Sequence, residues 1–147
     1  MSVVIDANLV AATVLPVPYS DQATQRIRAW KQAEVELLAP LLLEYEVASV
    51  LRRAVVARWL TNDDAVEALG QILTLRIQCL PPTPLLHEKA LHWAYRLGHT
   101  KTYDAHYMAL AEQEGAEMWT ADKRLVNGAR QTGVSWVHWI GQAQATE

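Results

Sequence analysis

The chain has 147 residues, 51% of them hydrophobic and 20% charged, with a formal net charge of −3. That is the make-up of one ordinary globular domain, able to bury roughly two-thirds of the surface its unfolded form exposes. The acidic balance argues against an electrostatically driven, non-specific nucleic-acid binder, and the single cysteine, Cys79, excludes an internal disulfide and a thiolate metal cage.

In chain order, the apolar run Val3 to Ile5 predicts a strand, followed by a short helix from about Asn8 to Leu15 that Pro16 and Pro18 stop. Ser20 or Asp21 should cap a helix reaching Gln32, with Ala23, Ile27 and Trp30 on one face. Glu36 to Ala39 reads as a strand closed by Pro40, and Leu42 to Arg58 as a strong helix. Thr61 or Asn62 caps another helix to about Leu73, and Arg76 to Leu80 is a strand ended by Pro81-Pro82. Thr83 as N-cap, Pro84 in the first turn and Gly98 as a stop bracket a further helix to Leu97. Asp104 opens a helix that ends at Gly115, with Thr102 as its expected cap. Two short strands, Glu117 to Thr120 and Trp136 to Trp139, flank a helical turn from Lys123 to Arg130.

Strands alternating with helices imply a single α/β domain over 1–147, three layers deep, around a mainly parallel, short-stranded sheet. No basic-then-apolar leader opens the chain. No apolar stretch reaches the ~18 residues of a membrane span, so a cytoplasmic location without a membrane partner is expected.

Ligands in such folds bind beyond the carboxyl ends of the strands, and two acids, Asp6 and Asp122, stand at such ends. Asp104 begins a helix, and Glu44 and Glu46 lie on opposite edges of the buried stripe Leu43, Val47, Val50, Leu51, Ala54. Each has a plain structural explanation. Asp6 or Asn8 can cap a turn, Asp122 can cap the next helix, Asp104 suits the helix dipole, and either glutamate can pair with an arginine. Periodicity does not choose between Glu44 and Glu46. Several carboxylates gathered at the rim of an apolar sheet, however, need a positive partner, and hard oxygen donors suit Mg²⁺ or Mn²⁺. Asn8 and the Thr120 hydroxyl are placed to support such a site. Arg52, Arg53, Arg58, Lys101, Lys123, Arg124 and Arg130 form either a local basic face or scattered solvated charges. Of the tryptophans, Trp119 and Trp136 read as buried strand residues, and Trp59 and Trp93 as interface candidates.

The segments Asp6-Ala7-Asn8, Tyr45-Glu46-Val47 through Arg52-Arg53, Tyr103-Asp104-Ala105-His106-Tyr107 through Glu112, and Trp119-Thr120-Ala121-Asp122-Lys123 resemble PIN-domain ribonucleases. The likeness is greatest to toxin subunits of VapBC-type toxin–antitoxin pairs, and it spans the chain in order. The resemblance selects Glu46, which is followed by an apolar residue and later a basic pair. It implies an acidic quartet of Asp6, Glu46, Asp104 and Asp122, with Thr120 as a supporting hydroxyl. It also implies a Mg²⁺- or Mn²⁺-dependent ribonuclease with one or two ions. Asp6, Asp104 and Asp122 would hold one ion, and Glu46 would engage a second or orient water. Arg52, Arg53 and Lys123 are candidates to meet RNA phosphates. A homodimer silenced by a protein antitoxin follows from the same likeness, with Leu51, Val55, Leu86, Ala90 and Trp93 as faces to be covered. His106 lies about 200° around the helix from Asp104 and reads as a packing or interface residue.

Other readings are weaker. A receiver domain needs a phosphorylatable Asp after the third strand, where Cys79-Leu80-Pro81 stands, and a haloacid-dehalogenase-type phosphatase needs a second Asp where Asn8 stands. A catalytically silent interaction module, or a nuclease of RNA processing without an antitoxin, would share the same fold.

Overall fold

The computed structural model describes residues 1–142. Five strands, β1 (Ser2–Ile5), β2 (Glu36–Pro40), β3 (Gln78–Leu80), β4 (Glu117–Thr120) and β5 (Val137–Trp139), form one sheet in the order β3-β2-β1-β4-β5. Every pairing is parallel, so the sheet is wholly rather than mainly parallel. Seven helices flank it: α1 (Ala7–Ala11), α2 (Ser20–Gln32), α3 (Leu42–Val56), α4 (Asn62–Leu73), α5 (Pro84–Leu97), α6 (Tyr103–Glu114) and α7 (Lys123–Gln131).

The central strands are apolar because parallel strands between helical layers have no solvated face. Val4, Ile5 and Met118 are wholly buried, and a side chain of this size contributes about 1.5–3 kcal/mol on burial. Helix α6 packs on β1, β2 and β4. Its Ala105, Ala109 and Ala111 are buried, and their small side chains let the helix lie close to the sheet. Helix α3 buries Leu43, Val47, Leu51 and Ala54 at helical spacing and packs on α1 and α4.

Several boundaries differ from the sequence reading. The first helix begins at Ala7 and ends at Ala11, before the prolines, because turns take over from Ala12. Tyr19, not Ser20 or Asp21, is the N-cap of α2; the Ser20 hydroxyl instead accepts from Val17 N–H at 2.9 Å and donates to the Leu15 carbonyl. Helix α3 stops at Val56 because Arg58 turns left-handed at φ 63°, with Trp59 N–H closing onto the Ala54 carbonyl. Arg76, at φ 55°, cannot sit in an extended strand, so β3 starts at Gln78. Thr61, Thr83 and Gly98 act as read: Thr61 forms a capping box with Asp64, Thr83 accepts from Leu86 N–H, and Gly98 ends α5 at φ 70°.

The expected uncovered faces are mostly core. Leu51, Leu86, Ala90 and Trp93 are buried, and Trp93 packs edge-on against Trp136 with ring centroids 5.6 Å apart. Trp93 is therefore a packing residue, because the fold brings Trp136 against it. Trp59 remains exposed, whereas Trp119 is buried and meets Trp30 edge-on. No helix among the described residues is long and apolar enough to cross a membrane.

Candidate functional site

The strand order reverses at β1: the chain moves from it to β2 and β3 on one side and reaches β4 and β5 on the other. A crevice opens where adjacent crossovers diverge, beyond the carboxyl ends of β1 and β4. Asp6 follows β1 at this point, and Thr120 ends β4. Among the described residues these two are the buried side chains that are polar or charged.

Asp6 is held from three sides. Its Oδ1 accepts from Leu9 N–H at 2.9 Å, which makes Asp6 rather than Asn8 the N-cap of α1, and from Ala121 N–H at 3.5 Å. The Thr120 hydroxyl donates to Oδ2 of Asp6, and the Thr120 Oγ1 itself accepts from Asp122 N–H at 2.9 Å. Thr120 thus ties the end of β1 to the turn that carries Asp122. Burial drives the Asp6 pKa up to about 6, against the lowering pull of the Thr120, Leu9 and Ala121 hydrogen bonds, and the nearby Asp104 charge adds to the rise.

Glu46 projects from α3 and accepts a 2.7 Å hydrogen bond from the Tyr107 hydroxyl of α6. Partial burial raises its pKa; the Tyr107 bond and Arg53 oppose that, and Asp104 reinforces it. Burial also raises Asp104, followed by the charge of Asp122, with His99 pulling the other way. Asp6, Glu46 and Asp104 line one cavity of about 410 Å³ together with Asn8, Tyr107 and Arg53.

Asp122 stands beside this cavity rather than in its lining. Its Oδ1 caps α7, accepting from Arg124 N–H at 2.9 Å and Leu125 N–H at 3.4 Å. Its cap role and its closeness to the acids coexist, since its charge still reaches Asp104. Asn8 is exposed at the cavity wall and lies within α1. Of the basic candidates, Arg53 lines the cavity; Arg52 is exposed and outside the lining, and the Lys123 ammonium lies 4.9 Å from the Trp139 ring centroid. His106 faces away from the acids, with Nε2 2.8 Å from His87 Nδ1 and Nδ1 2.7 Å from the Thr102 carbonyl.

Tyr107 carried no role in the sequence reading, although it sits three residues after Asp104 and so on the same helix face. Lys101, Tyr45 and Tyr103 also line the cavity. The donor chemistry fits a hard divalent cation: three carboxylates face one space, their pKa values are raised, and among the described residues none of the four acids has a Lys or Arg ion-pair partner. Among the described residues no group of three or more His, Cys, Asp or Glu side chains is drawn together tightly enough to hold an ion as it stands.

Comparison with known proteins agrees with this architecture. The PIN domain family matches residues 3–131. Ribonuclease VapC3 of Pyrobaculum aerophilum is 34% identical over 126 residues, 85% of this chain and 92% of that protein. Ribonuclease VapC12 of Mycobacterium tuberculosis is 28% identical over 124 residues, 84% of this chain and 88% of that protein. The crystal structure of PAE2754 from Pyrobaculum aerophilum shares the fold, with a TM-score of 0.67 and 20% identity over 95% of this chain and 84% of that one. The chain belongs to the PIN-domain family and is related to the VapC ribonuclease toxins of toxin–antitoxin systems.

Proposed function

We propose that this protein is a divalent-metal-dependent ribonuclease that cleaves RNA phosphodiester bonds as the toxin of a toxin–antitoxin pair. The observation that carries the reading is Asp6, a buried carboxylate at the strand-order reversal that shares a cavity with Glu46 and Asp104 and lacks a Lys or Arg ion pair among the described residues. Its relation to the VapC ribonucleases supplies the substrate class.

Asp6, Asp104 and Asp122 would hold Mg²⁺ or Mn²⁺, with Glu46 at a second ion or at the attacking water. Bound there, the cation supplies Lewis-acid polarisation of the phosphate and a lowered pKa for water. Thr120 and the Leu9 N–H fix both oxygens of Asp6, so its carboxylate cannot rotate away from the cavity. Tyr107 holds Glu46 by one oxygen and leaves the other free to accept a proton. Arg53 offers a positive group for a phosphate beside the scissile one.

The antitoxin would be a protein segment that brings apolar anchors and an Arg or Lys to meet the carboxylates in place of metal. The toxin itself would be a homodimer, checked by light scattering, where a monomer at micromolar concentration contradicts it. The ribonuclease assignment is tested by incubating RNA with the purified chain and Mg²⁺ or Mn²⁺. Cleavage that stops on adding EDTA is expected; cleavage indifferent to EDTA, or none at any metal concentration, rejects it.

A further inference from the structure

Helix α6 carries a second polar cluster on the face turned away from Asp104. Nδ1 of His106 lies 2.7 Å from the Thr102 carbonyl oxygen, and its Nε2 lies 2.8 Å from Nδ1 of His87 on α5. A carbonyl oxygen can only accept, so Nδ1 of His106 carries the ring proton and Nε2 keeps a lone pair. That lone pair is aimed across the helix–helix seam at His87. The two rings stand nearly perpendicular, at 80°, with centroids 5.0 Å apart. His87 is exposed and His106 half-buried, and neither ring lines the acidic cavity. The ribonuclease chemistry proposed above makes no use of them.

We propose that His87 and His106 form a two-point site for a late first-row divalent cation, Zn²⁺ in the first instance, which staples α5 to α6. Imidazole nitrogen suits Zn²⁺, Ni²⁺ and Cu²⁺, whereas carboxylates suit Mg²⁺ and Mn²⁺, so opposite faces of α6 select different ions. A ligating histidine commonly donates its other N–H to a backbone carbonyl, which fixes its tautomer, and the bond from His106 to Thr102 already does this. Two nitrogens bound to one Zn²⁺ at about 2.0–2.1 Å stand about 3.3 Å apart in tetrahedral geometry. The pair therefore opens by about half an ångström, which the exposed His87 ring supplies by a small rotation. The ion takes the place of the proton between the rings. His87 shifts that proton from Nδ1 to Nε2, and both facing nitrogens ligate as neutral imidazoles. Among the described residues no third His, Cys, Asp or Glu completes the set, so water fills the remaining positions. Because His106 also grips Thr102, the N-cap residue of α6, the staple steadies the turn that presents Asp104. The site stands independently of the ribonuclease reading.

The test titrates the untagged full chain with ZnCl₂ by calorimetry in excess Mg²⁺, and repeats the titration in Asp6→Asn to weaken the acidic site. Both proteins should bind one Zn²⁺ per chain, and Zn²⁺ should raise the melting temperature of both by a few degrees. His87→Ala and His106→Ala should each weaken binding by at least about tenfold, since losing outer support alone costs a metal site about 10–100-fold. Each should also abolish the melting shift, while His92→Ala, an exposed histidine on the same helix, should match wild type. Should His106→Ala fold poorly, the exposed His87 decides: Cu²⁺ should show nitrogen hyperfine coupling from two imidazoles in wild type and from one in His87→Ala.

Zn²⁺ binding that is absent from wild type, or undiminished in His87→Ala, overturns the proposal. Binding lost in Asp6→Asn but kept in the histidine variants would place the ion among the acids and also overturn it. One ion per two chains, with Zn²⁺-dependent association in light scattering, would draw the ligands from separate copies and do the same. EDTA-sensitive RNA cleavage in Mg²⁺ is unaffected by any of these outcomes, so the ribonuclease reading stands or falls separately.

Discussion

The carboxyl edge of the sheet has two unlike halves. Beyond β2 and β3 the chain leaves through Pro40-Leu41 and Leu80-Pro81, apolar residues that close the strands and lead into helices. Beyond β1 and β4 it leaves through Asp6 and Thr120-Ala121-Asp122, with a buried carboxylate and a buried hydroxyl joined by a hydrogen bond. The strands are alike in length and direction, so strand structure does not explain the contrast. The β1–β4 pair is where the strand order reverses and the crossovers part, which leaves room there for polar groups. The β2–β3 half is built for packing. The β1–β4 half accepts a destabilising carboxylate.

Chemistry confined to the acidic half gives the largest contrast. Asp6→Asn should bring RNA cleavage to background at saturating Mg²⁺ or Mn²⁺ with the fold retained, whereas Cys79→Ala on β3 should leave cleavage at the wild-type level. Activity in Asp6→Asn, or its loss in Cys79→Ala, would break the division.

Stability without metal should show the same asymmetry through pH. The folded pKa of Asp6, about 6, lies above the ordinary aspartate value of 3.8. Its contribution favours the folded state fully below about pH 3.8 and is lost as pH rises through about 6. A shift of this size corresponds to at most about 3 kcal/mol. Asp6→Asn should therefore flatten the metal-free stability curve between these pH values, as read by urea denaturation with EDTA. Parallel curves for the two proteins would remove the claim that burial of Asp6 opposes folding.

A smaller effect should come from the Glu46–Tyr107 bond. Tyr107→Phe removes a donor to a half-buried carboxylate, worth about 1 kcal/mol in a partly solvated setting. Cleavage should fall, chiefly in kcat, while Phe keeps the packing of α6. An unchanged kcat would make Tyr107 purely a core residue.

Much of this division was legible in the sequence because it is local. Asp6 directly follows an apolar run, Asp122 follows the last residues of β4, and Thr83-Pro84 with Gly98 brackets a helix by backbone chemistry alone. Periodicity alone could not choose between Glu46 and Glu44, which flank the same stripe; in the fold Glu46 is the one that meets Tyr107, 61 positions away. Trp93 misled for the same reason, since its burial depends on Trp136 across the fold. Ser20 looked like a helix cap, but its hydroxyl is engaged by the loop after Leu15. Periodicity identifies the buried stripe of a helix, and only the packing of another element decides what happens at its edges.

The shared acidic site is tested most directly by melting the wild-type chain, Asp6→Asn and Asp104→Asn with and without millimolar Mn²⁺, no RNA being needed. A ligand at a hundred times its dissociation constant stabilises by about 2.7 kcal/mol, which for a domain of this size raises Tm by roughly 5–10 °C. The expected result is a rise of that order in wild type and a clearly smaller one in both variants, because each removes a carboxylate facing the same ion. No rise in wild type, or an equal rise in all three proteins, would contradict a metal site formed at the junction of β1 and β4.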